Sequence, residues 1–275
     1  MRASNTTLGF SMNKNLRHVL VSTALVASSA TALADPILWV SDSLGRLETI
    51  DVITGNTTLI GTMGIVMFDI AFSPSGQLYG IDGTRLYTIN SNTGATTLIG
   101  GSGGGNLNSL VFGSDGSLYG ASTGLYKFDV GTGARALVGG TFAGGATSSG
   151  DLAFVSGNLY LSTLSSPDRL QRISTVTGAN TDIGSIGFGS VFGLASPNSS
   201  DLYGFSGTQV LSINVATGAG TVVSTVQGNS LGTVYGSAFR TEAVAAIPEP
   251  ETYALMLAGL GVVGWTARRR AAALR

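Results

Sequence analysis

Three polar side chains stand at or beside the starts of similar short segments, and their chemistry could act on a ligand. Asp69 and Asp151 begin two of these segments, and Asn108 directly precedes the start of a third. The other starts carry small residues: Ser109, Gly193 and Gly236. Carboxylate and amide oxygens suit a hard cation such as Ca²⁺, and two carboxyl groups can act as acid and base on a polysaccharide. A structural interpretation competes with both, in which each carboxylate accepts hydrogen bonds from backbone amides where its strand begins.

Two glycine-rich stretches match the Gly-x-Ser-x-Gly pattern of a nucleophile elbow, at residues 100–104 and 228–232. Such a nucleophile needs a strand-to-helix turn and a nearby base. The chain has one histidine, His18, and no cysteine, which excludes thiolate nucleophiles, cysteine-ligated metals and disulfides. We therefore expect both stretches to be loops. We predict no catalytic residue and no cofactor, with Ca²⁺ at the carboxylates as the alternative.

The N-terminal 34 residues have the pattern of a secretory signal peptide. Lys14 and Arg17 supply positive charge, residues 19–27 are largely apolar, and Ala32–Ala34 ends in the small residues that precede a cleavage site. We predict cleavage between Ala34 and Asp35 after export through the Sec system. His18 lies within this segment, so the exported body would contain no histidine.

The C-terminal segment is apolar and is followed by positive charge. Residues 252–267 contain no charged side chain, and Arg268, Arg269 and Arg270 come directly after them. A helix of this length spans ~24 Å, not far short of the ~30 Å hydrocarbon core of a membrane. We therefore predict a transmembrane helix over 252–267, with the arginines reaching the headgroups on the cytoplasmic side.

The residues around this helix resemble a known sorting signal. Pro248, Glu249 and Pro250 come first, the apolar run with Leu-x-Gly-Leu-Gly at Leu257–Gly261 follows, and the arginine cluster 268–270 closes the segment. This order resembles the PEP-CTERM sorting signal of Gram-negative bacteria. The resemblance implies Sec export, transient retention in the inner membrane and processing by an exosortase near Pro-Glu-Pro. It also implies a destination at the cell surface or in the matrix, near extracellular polysaccharide.

The charge balance of the body bears on its partners. Between Asp35 and Ile247 there are 13 acidic and 7 basic residues, which gives a net charge of −6. An acidic body without a basic stripe is a poor match for a phosphate backbone. We predict no nucleic-acid partner.

Two markers recur through the body with a period of about 40 residues. The first is a Leu-Tyr-Gly-like triplet that begins at Leu38, Leu78, Leu118, Leu159 and Leu202. The second is a Thr-Gly turn that ends at Gly55, Gly94, Gly133, Gly178 and Gly218. Each period contains four short β-branched or aromatic runs bounded by turn residues. This length and content are typical of a β-propeller blade.

The two ends of the repeat array predict that the ring closes. The body begins at the second-strand type, Ile37–Ser41, and ends with a lone first-strand type, Val234–Phe239. Pairing these segments leaves no orphan edge. We predict an all-β, five-bladed propeller over 35–244, between a signal peptide at 1–34 and a sorting segment at 245–275. A β-helix or open stack and a β-sandwich are the alternatives.

Within this ring we expect large aromatic residues between the blades and carboxylates near the axis. The aromatic residues are the repeated tyrosines Tyr79, Tyr119, Tyr160 and Tyr203. We expect Asp69 and Asp151, with Asn108 beside them, to face the mouth of the central channel, because they stand at the starts of innermost strands.

These features favour an exported, non-enzymatic propeller that presents loops for binding, with extracellular polysaccharide or another envelope protein as its partner. A carbohydrate-active hydrolase or lyase is the first alternative, and it requires the carboxyls of Asp69 and Asp151 ~5–10 Å apart in an open cleft. A lectin-like module with one shallow site in each blade is the second. It requires the same polar and aromatic residues to recur in exposed loops.

Overall fold

A computed structural model of the chain describes residues 36–101, 106–198, 200–227, 231–243 and 257–260. The predicted signal peptide, the Pro-Glu-Pro residues and the arginine cluster lie outside these ranges. Of the predicted membrane helix only residues 257–260 are described, and they are helical and exposed. Across the described ranges, no helix has the length and apolar character needed to cross a membrane.

Short strands follow one another along the body, rich in β-branched and aromatic residues and bounded by Gly, Asn and Asp. In chain order they are β1 (Ile37–Asp42), β2 (Arg46–Asp51), β3 (Thr57–Thr62), β4 (Asp69–Phe72), β5 (Leu78–Ile81), β6 (Leu86–Ile89), β7 (Thr96–Gly100), β8 (Ser109–Phe112), β9 (Leu118–Ala121), β10 (Gly124–Phe128), β11 (Arg135–Thr141), β12 (Ser148–Val155), β13 (Asn158–Thr163), β14 (Arg169–Ile173), β15 (Asn180–Ser185), β16 (Val191–Ala195), β17 (Tyr203–Ser206), β18 (Gln209–Ile213), β19 (Gly220–Thr225) and β20 (Val234–Ala238). A short 3₁₀ turn at Ala143–Gly145 lies between β11 and β12.

Hydrogen bonds join the described strands into five antiparallel four-stranded sheets, which are the blades of a propeller. Blade 1 has the strand order β20-β1-β2-β3, and blades 2 to 5 consist of β4–β7, β8–β11, β12–β15 and β16–β19. The first strands of the blades contact one another in the ring order β20, β4, β8, β12, β16, so they form the innermost layer. The predicted five-bladed propeller is confirmed.

The last strand closes the ring by pairing with the first. β20 lies antiparallel to β1, with Trp39 opposite Ala238 and Ser41 opposite Gly236. It supplies the innermost strand that the N-terminal part of blade 1 lacks. The predicted pairing of the two ends is therefore confirmed, and the open-stack and sandwich alternatives are excluded.

The core is divided among the gaps between neighbouring blades, with one apolar cluster in each gap. The gap between blades 1 and 2, for example, holds the fully buried Leu47, Met67 and Ile70. Complete burial of such a side chain stabilises the fold by ~1.5–3 kcal/mol. Ring contacts recur from gap to gap: Trp39–Phe72, Tyr79–Phe112, Tyr119–Phe154 and Tyr203–Phe239. Tyr160 is also buried, so the repeated tyrosines fill the gaps as predicted.

At four of the five outer corners, neighbouring blades touch through a glycine of the outermost strand. A Cβ on Gly61 of β3 would lie 2.0 Å from the carbonyl oxygen of Thr93, beside the turn residue Gly94 of blade 2. The same contact joins Gly100 to Gly133, Gly139 to Gly178 and Gly184 to Gly218. At the closing gap Ser224 takes the corresponding place, and its hydroxyl donates to the carbonyl of Val52 (2.6 Å). Gly94 also has a φ of +76°, which side chains rarely tolerate.

Candidate functional site

A pocket of about 230 Å³ opens to solvent at one mouth of the ring. It is lined by Phe68, Asn108, Ser149, Gly150, Phe192 and Tyr235. The equivalent positions that the sequence predicted as starts of innermost strands are Asp69, Ser109, Asp151, Gly193 and Gly236. Asp69 and Ser109 do begin β4 and β8, whereas β12, β16 and β20 begin two or three residues earlier. Every blade contributes to the pocket the residue directly before its equivalent position. The pocket therefore surrounds the ring axis and depends on all five blades.

One side of the pocket is an aromatic wall. The rings of Phe68 and Tyr235 meet edge to face with centroids 5.9 Å apart, and those of Phe192 and Tyr235 with centroids 6.3 Å apart. All three residues are half-buried. Ring pairs of this geometry contribute ~0.5–1.5 kcal/mol beyond their buried area, so the wall is held in place without a ligand.

The remaining side, from blades 3 and 4, is polar and uncharged. The side-chain amide of Asn108 donates to the carbonyl of Ser148 (3.1 Å). Oδ1 of Asn108 and Oγ of Ser148 are buried without a hydrogen-bond partner. Burial of an unpaired polar atom costs ~1–3 kcal/mol, so a ligand hydroxyl or a water molecule that reached these atoms would remove that cost.

Asp168 connects the polar side to the aromatic wall. It is fully buried, and its Oδ2 accepts hydrogen bonds from the Ser149 hydroxyl (2.6 Å) and from the N–H of Val191 (2.8 Å), next to Phe192. Its Oδ1 accepts from the N–H of Ser165 (3.2 Å). The carboxylate of Asp168 thus holds in place the Ser149 hydroxyl and the backbone next to Phe192, and both of these residues line the pocket. Sequence reasoning missed this residue because it lies between β13 and β14, outside both repeated markers.

Asp69 and Asp151 lie beneath the pocket and not at its mouth, where they were expected. Both are fully buried. The carboxylate of Asp69 accepts hydrogen bonds from the N–H of Ile70 (2.7 Å) and, in the next blade, from the N–H of Leu110 (2.5 Å). Asn108 stands in the pocket wall, and its side-chain amide bonds to a backbone carbonyl. The structure therefore brings the two carboxyls together beneath the pocket, whereas Asn108 lines the pocket wall.

Asp151 makes the matching connection from blade 4 to blade 5. Its oxygens accept hydrogen bonds from the N–H of Leu152 (2.6 Å) and of Leu194 (2.7 Å), and one also accepts from the hydroxyl of Ser237 (3.1 Å) in β20. Each carboxylate thus ties its own strand to the neighbouring innermost strand. This is the structural interpretation of the two carboxylates, which the sequence left open beside cation binding and acid–base chemistry.

The two buried carboxyls influence each other's protonation. Burial raises the pKa of Asp69 well above its usual value, and the charge of Asp151 raises it further. Burial also raises the pKa of Asp151, to about 8, although its hydrogen bond with Asp69 opposes the shift. The pair therefore holds a proton at neutral pH. The open cleft that the hydrolase alternative requires is not found at these two residues.

The remaining predictions concern the two serine-containing glycine-rich stretches and a metal site. Ser102 and Ser230, the serines of the two Gly-x-Ser-x-Gly stretches, lie outside the described residues. Within the described ranges, no cluster of three or more His, Cys, Asp and Glu side chains is arranged to hold a metal ion. The pocket is accordingly the candidate site that the geometry supports best.

The opposite mouth of the ring is covered by the chain that leaves β20. Glu242 accepts a hydrogen bond from the N–H of Ser196 (3.3 Å), directly after β16. Ala243 is fully buried in the cluster between blades 2 and 3. Burial raises the pKa of Glu242 well above its usual value, and the charge of Asp151 adds to the shift. The chain thus crosses the ring and leaves the described propeller on the side away from the pocket.

Together the fold and the site define a closed five-bladed propeller with a pocket at one mouth. Residues 246–270 match the family model of the PEP-CTERM protein-sorting motif. The chain therefore joins a propeller body to a PEP-CTERM sorting motif at its C-terminal side, as its sequence predicts. Proteins with this motif are exported and sorted to the cell surface, and the motif implies processing by an exosortase.

Several solved structures are similar to this chain. One comes from work on the de novo evolutionary emergence of a symmetrical protein (20% identical, covering 78% of this chain and 100% of that chain, TM-score 0.48). A structural-genomics protein of unknown function from Bacteroides thetaiotaomicron is 16% identical, with a TM-score of 0.51, and the match covers 76% of this chain and 63% of that one. A chain of a nidogen/laminin complex is 12% identical, covering 76% of this chain and 99% of that chain, with a TM-score of 0.55. The last two support the fold alone. No curated protein matches the chain.

Proposed function

We propose that this protein is an exported, exosortase-sorted binding protein whose propeller associates with extracellular polysaccharide and catalyses no reaction. The pocket carries this proposal, because it combines three aromatic rings with uncharged hydrogen-bonding groups. Pockets that bind small ligands are typically apolar and aromatic with a few placed polar groups. A sugar ring, with its C–H faces and its hydroxyls, has the matching chemistry.

The route to the cell surface follows from the sorting motif. After Sec export, the helix over 252–267 would hold the chain in the inner membrane of a Gram-negative bacterium until an exosortase acts near Pro248–Pro250. The product would then reside at the cell surface or in the extracellular matrix. The chain leaves the propeller at the mouth opposite the pocket.

Two features support binding without turnover. Asp69 and Asp151 are fully buried and engaged with backbone amides, so they are poorly placed for hydrolysis or elimination. The chain's one histidine, His18, belongs to the predicted signal peptide. A lectin-like module with a site in each blade is less well supported, because one pocket is built jointly by all five blades.

Glycan-array binding of the full-length chain in mild detergent, with and without Ca²⁺, tests the proposal. We expect binding to one class of polysaccharide, one site per chain, and no new reducing ends or unsaturated sugars after long incubation. New ends or unsaturated products would establish the hydrolase or lyase alternative. About one site per blade would establish the lectin-like alternative, and no binding to any glycan would favour an envelope protein as the partner.

A further inference from the structure

The pocket is closed at its inner end, so a ligand enters and leaves by the same opening. A Cβ placed on Gly150, which lines the pocket, would lie 2.4 Å from Cα of Phe192. One position further along the strands, a Cβ on Gly236 would lie 2.3 Å from Oδ1 of Asp69. Across the axis, between blades 1 and 4, which are not neighbours, the hydroxyl of Ser237 donates to the carboxylate of Asp151 (3.1 Å). The far mouth is covered by residues up to Ala243. A polymer can therefore reach the pocket floor only with one of its ends.

The size and chemistry of the pocket match one neutral sugar ring. Its volume of about 230 Å³ is below the ~300–1,000 Å³ usual for drug-sized ligands. Electron-rich aromatic faces attract the C–H face of a pyranose. Asn108 and Ser149, on the polar side of the pocket, offer hydrogen-bonding groups for its hydroxyls. The lining contains no charged side chain. The carboxylate of Asp168 behind the Ser149 hydroxyl would disfavour a uronic acid.

We propose that the pocket binds the terminal residue of a neutral polysaccharide, as a single pyranose ring inserted end-on. This inference rests on the polysaccharide binding proposed above, and it adds the site and the part of the polymer that is recognised. Phe192 and Tyr235 supply the stacking surface, and Asn108 supplies the hydrogen bond.

Titration calorimetry of the full-length chain in mild detergent tests the site, with the methyl glycosides of glucose, galactose and mannose as probes. We expect one of these neutral rings to bind at one site per chain, and the corresponding uronic acid glycoside to bind at least tenfold more weakly. Phe192→Leu keeps an apolar side chain but removes the ring, and Asn108→Ala removes the amide. Each should weaken binding about tenfold. The matched controls Val176→Ala, 85% exposed in a turn, and Asn92→Ala, also in an exposed turn, should leave affinity unchanged.

End recognition is tested with the polysaccharide that the array identifies. Partial acid hydrolysis that multiplies its chain ends tenfold at constant mass should raise its potency as a competitor about tenfold. Unchanged potency would overturn the inference. Full affinity in the folded Phe192→Leu and Asn108→Ala chains, a preference for the uronic acid, or failure of every neutral glycoside to bind would do the same. If any of these results is found while the unaltered chain still binds a polysaccharide on the array, the proposed function stands and only the end-on site is wrong. If the unaltered chain binds no glycan on the array, both the proposed function and the end-on site are wrong.

Discussion

Trp39 in β1 lies opposite Ala238 in β20, although the two residues stand near opposite ends of the propeller sequence. The gap between blades 5 and 1 consequently has its own buried cluster, which includes Val40, Phe205 and Val234. Release of β20 would expose this cluster and remove one strand from the innermost layer. We therefore expect β20 to contribute to the global stability of the ring and not to unfold locally.

Gly236→Ala should destabilise the whole propeller. The added Cβ would lie 2.4 Å from Cα of Asp69, so β20 would have to move away from β4. Overpacking of this kind costs ~1–3 kcal/mol, and in a domain of ~200 residues each kcal/mol lowers Tm by ~2–4 °C. Thermal unfolding followed by circular dichroism measures the difference. Gly189→Ala is the control, because a Cβ there meets no atom within 4 Å; equal Tm values for the two variants would contradict the close contact.

The corner contacts between blades predict a second pair of glycine effects. Gly61→Ala in β3 would place its Cβ 2.0 Å from the carbonyl oxygen of Thr93, whereas Gly140→Ala in β11 would meet no atom within 4 Å. Both residues lie in outermost strands, so the intrinsic strand preference of alanine is matched. We expect only Gly61→Ala to lower the denaturant midpoint. The decrease should correspond to a loss of ~1–3 kcal/mol in the free energy of unfolding. Similar midpoints for both variants would show that the blades can separate at this corner without loss.

The blades and their closure were predictable because both follow from the order of short segments along the chain. The pocket was not, because its lining positions carry no residue type that repeats in every blade: they are Phe68, Asn108, Gly150, Phe192 and Tyr235. The orientation of Asp69 and Asp151 was also beyond sequence reasoning, since their partners are backbone amides 41 and 43 residues further along the chain. Glu242 was missed because it follows the last repeat marker.

Burial of Asp69 and Asp151 predicts that the propeller loses stability as pH rises. A free aspartate has a pKa of ~3.9, whereas both folded-state pKa values are raised, that of Asp151 to about 8. Between these values the folded state binds more protons than the unfolded state, so the free energy of unfolding falls as pH increases. The stabilisation is complete below the unfolded pKa. We expect a lower Tm at pH 8 than at pH 5 in thermal unfolding at constant ionic strength.

Asp69→Asn isolates the contribution of the pair. The amide can still donate to Asp151 but has no titratable proton, so the decrease in Tm between pH 5 and pH 8 should become smaller. The variant should also be less stable at every pH, because an acceptor for a backbone N–H is lost. Glu242→Gln is the comparison, since the raised pKa of Glu242 adds to the same trend and its removal leaves the pair intact. An unaltered pH dependence in Asp69→Asn would show that the pair does not hold the proton.

The sorting motif predicts that release from the membrane depends on the Pro-Glu-Pro residues. Glu249→Ala should keep the uncut chain in the membrane fraction of the host, because processing is expected at this part of the motif. Immunoblotting and intact-mass measurement of membrane and medium fractions distinguish the two forms. Glu251→Ala removes the same charge two positions away and should be processed normally. Release of Glu249→Ala at the rate of the unaltered chain would place the processing determinant elsewhere.

Asp168 should control pocket affinity without touching the ligand. Its Oδ2 accepts hydrogen bonds from the Ser149 hydroxyl and from the N–H of Val191. Asp168→Asn keeps the size of the side chain but replaces one acceptor oxygen with a donor, which cannot satisfy the N–H and O–H groups that face it. Ser149 and Phe192 would then lose their fixed positions. We expect affinity for the polysaccharide identified on the array to fall several-fold in titration calorimetry.

Asp82→Asn separates positioning from stability. The Asp82 side chain is only 8% exposed and likewise accepts hydrogen bonds from backbone N–H groups, those of Thr84 and Arg85 in its own blade. Both variants should lose ~1–3 kcal/mol of stability, but only Asp168→Asn should bind more weakly. Adding Ser149→Ala to Asp168→Asn should weaken binding no further, because the two changes break the same hydrogen bond. Equal losses of affinity in the Asp168 and Asp82 variants would instead assign the effect to general destabilisation.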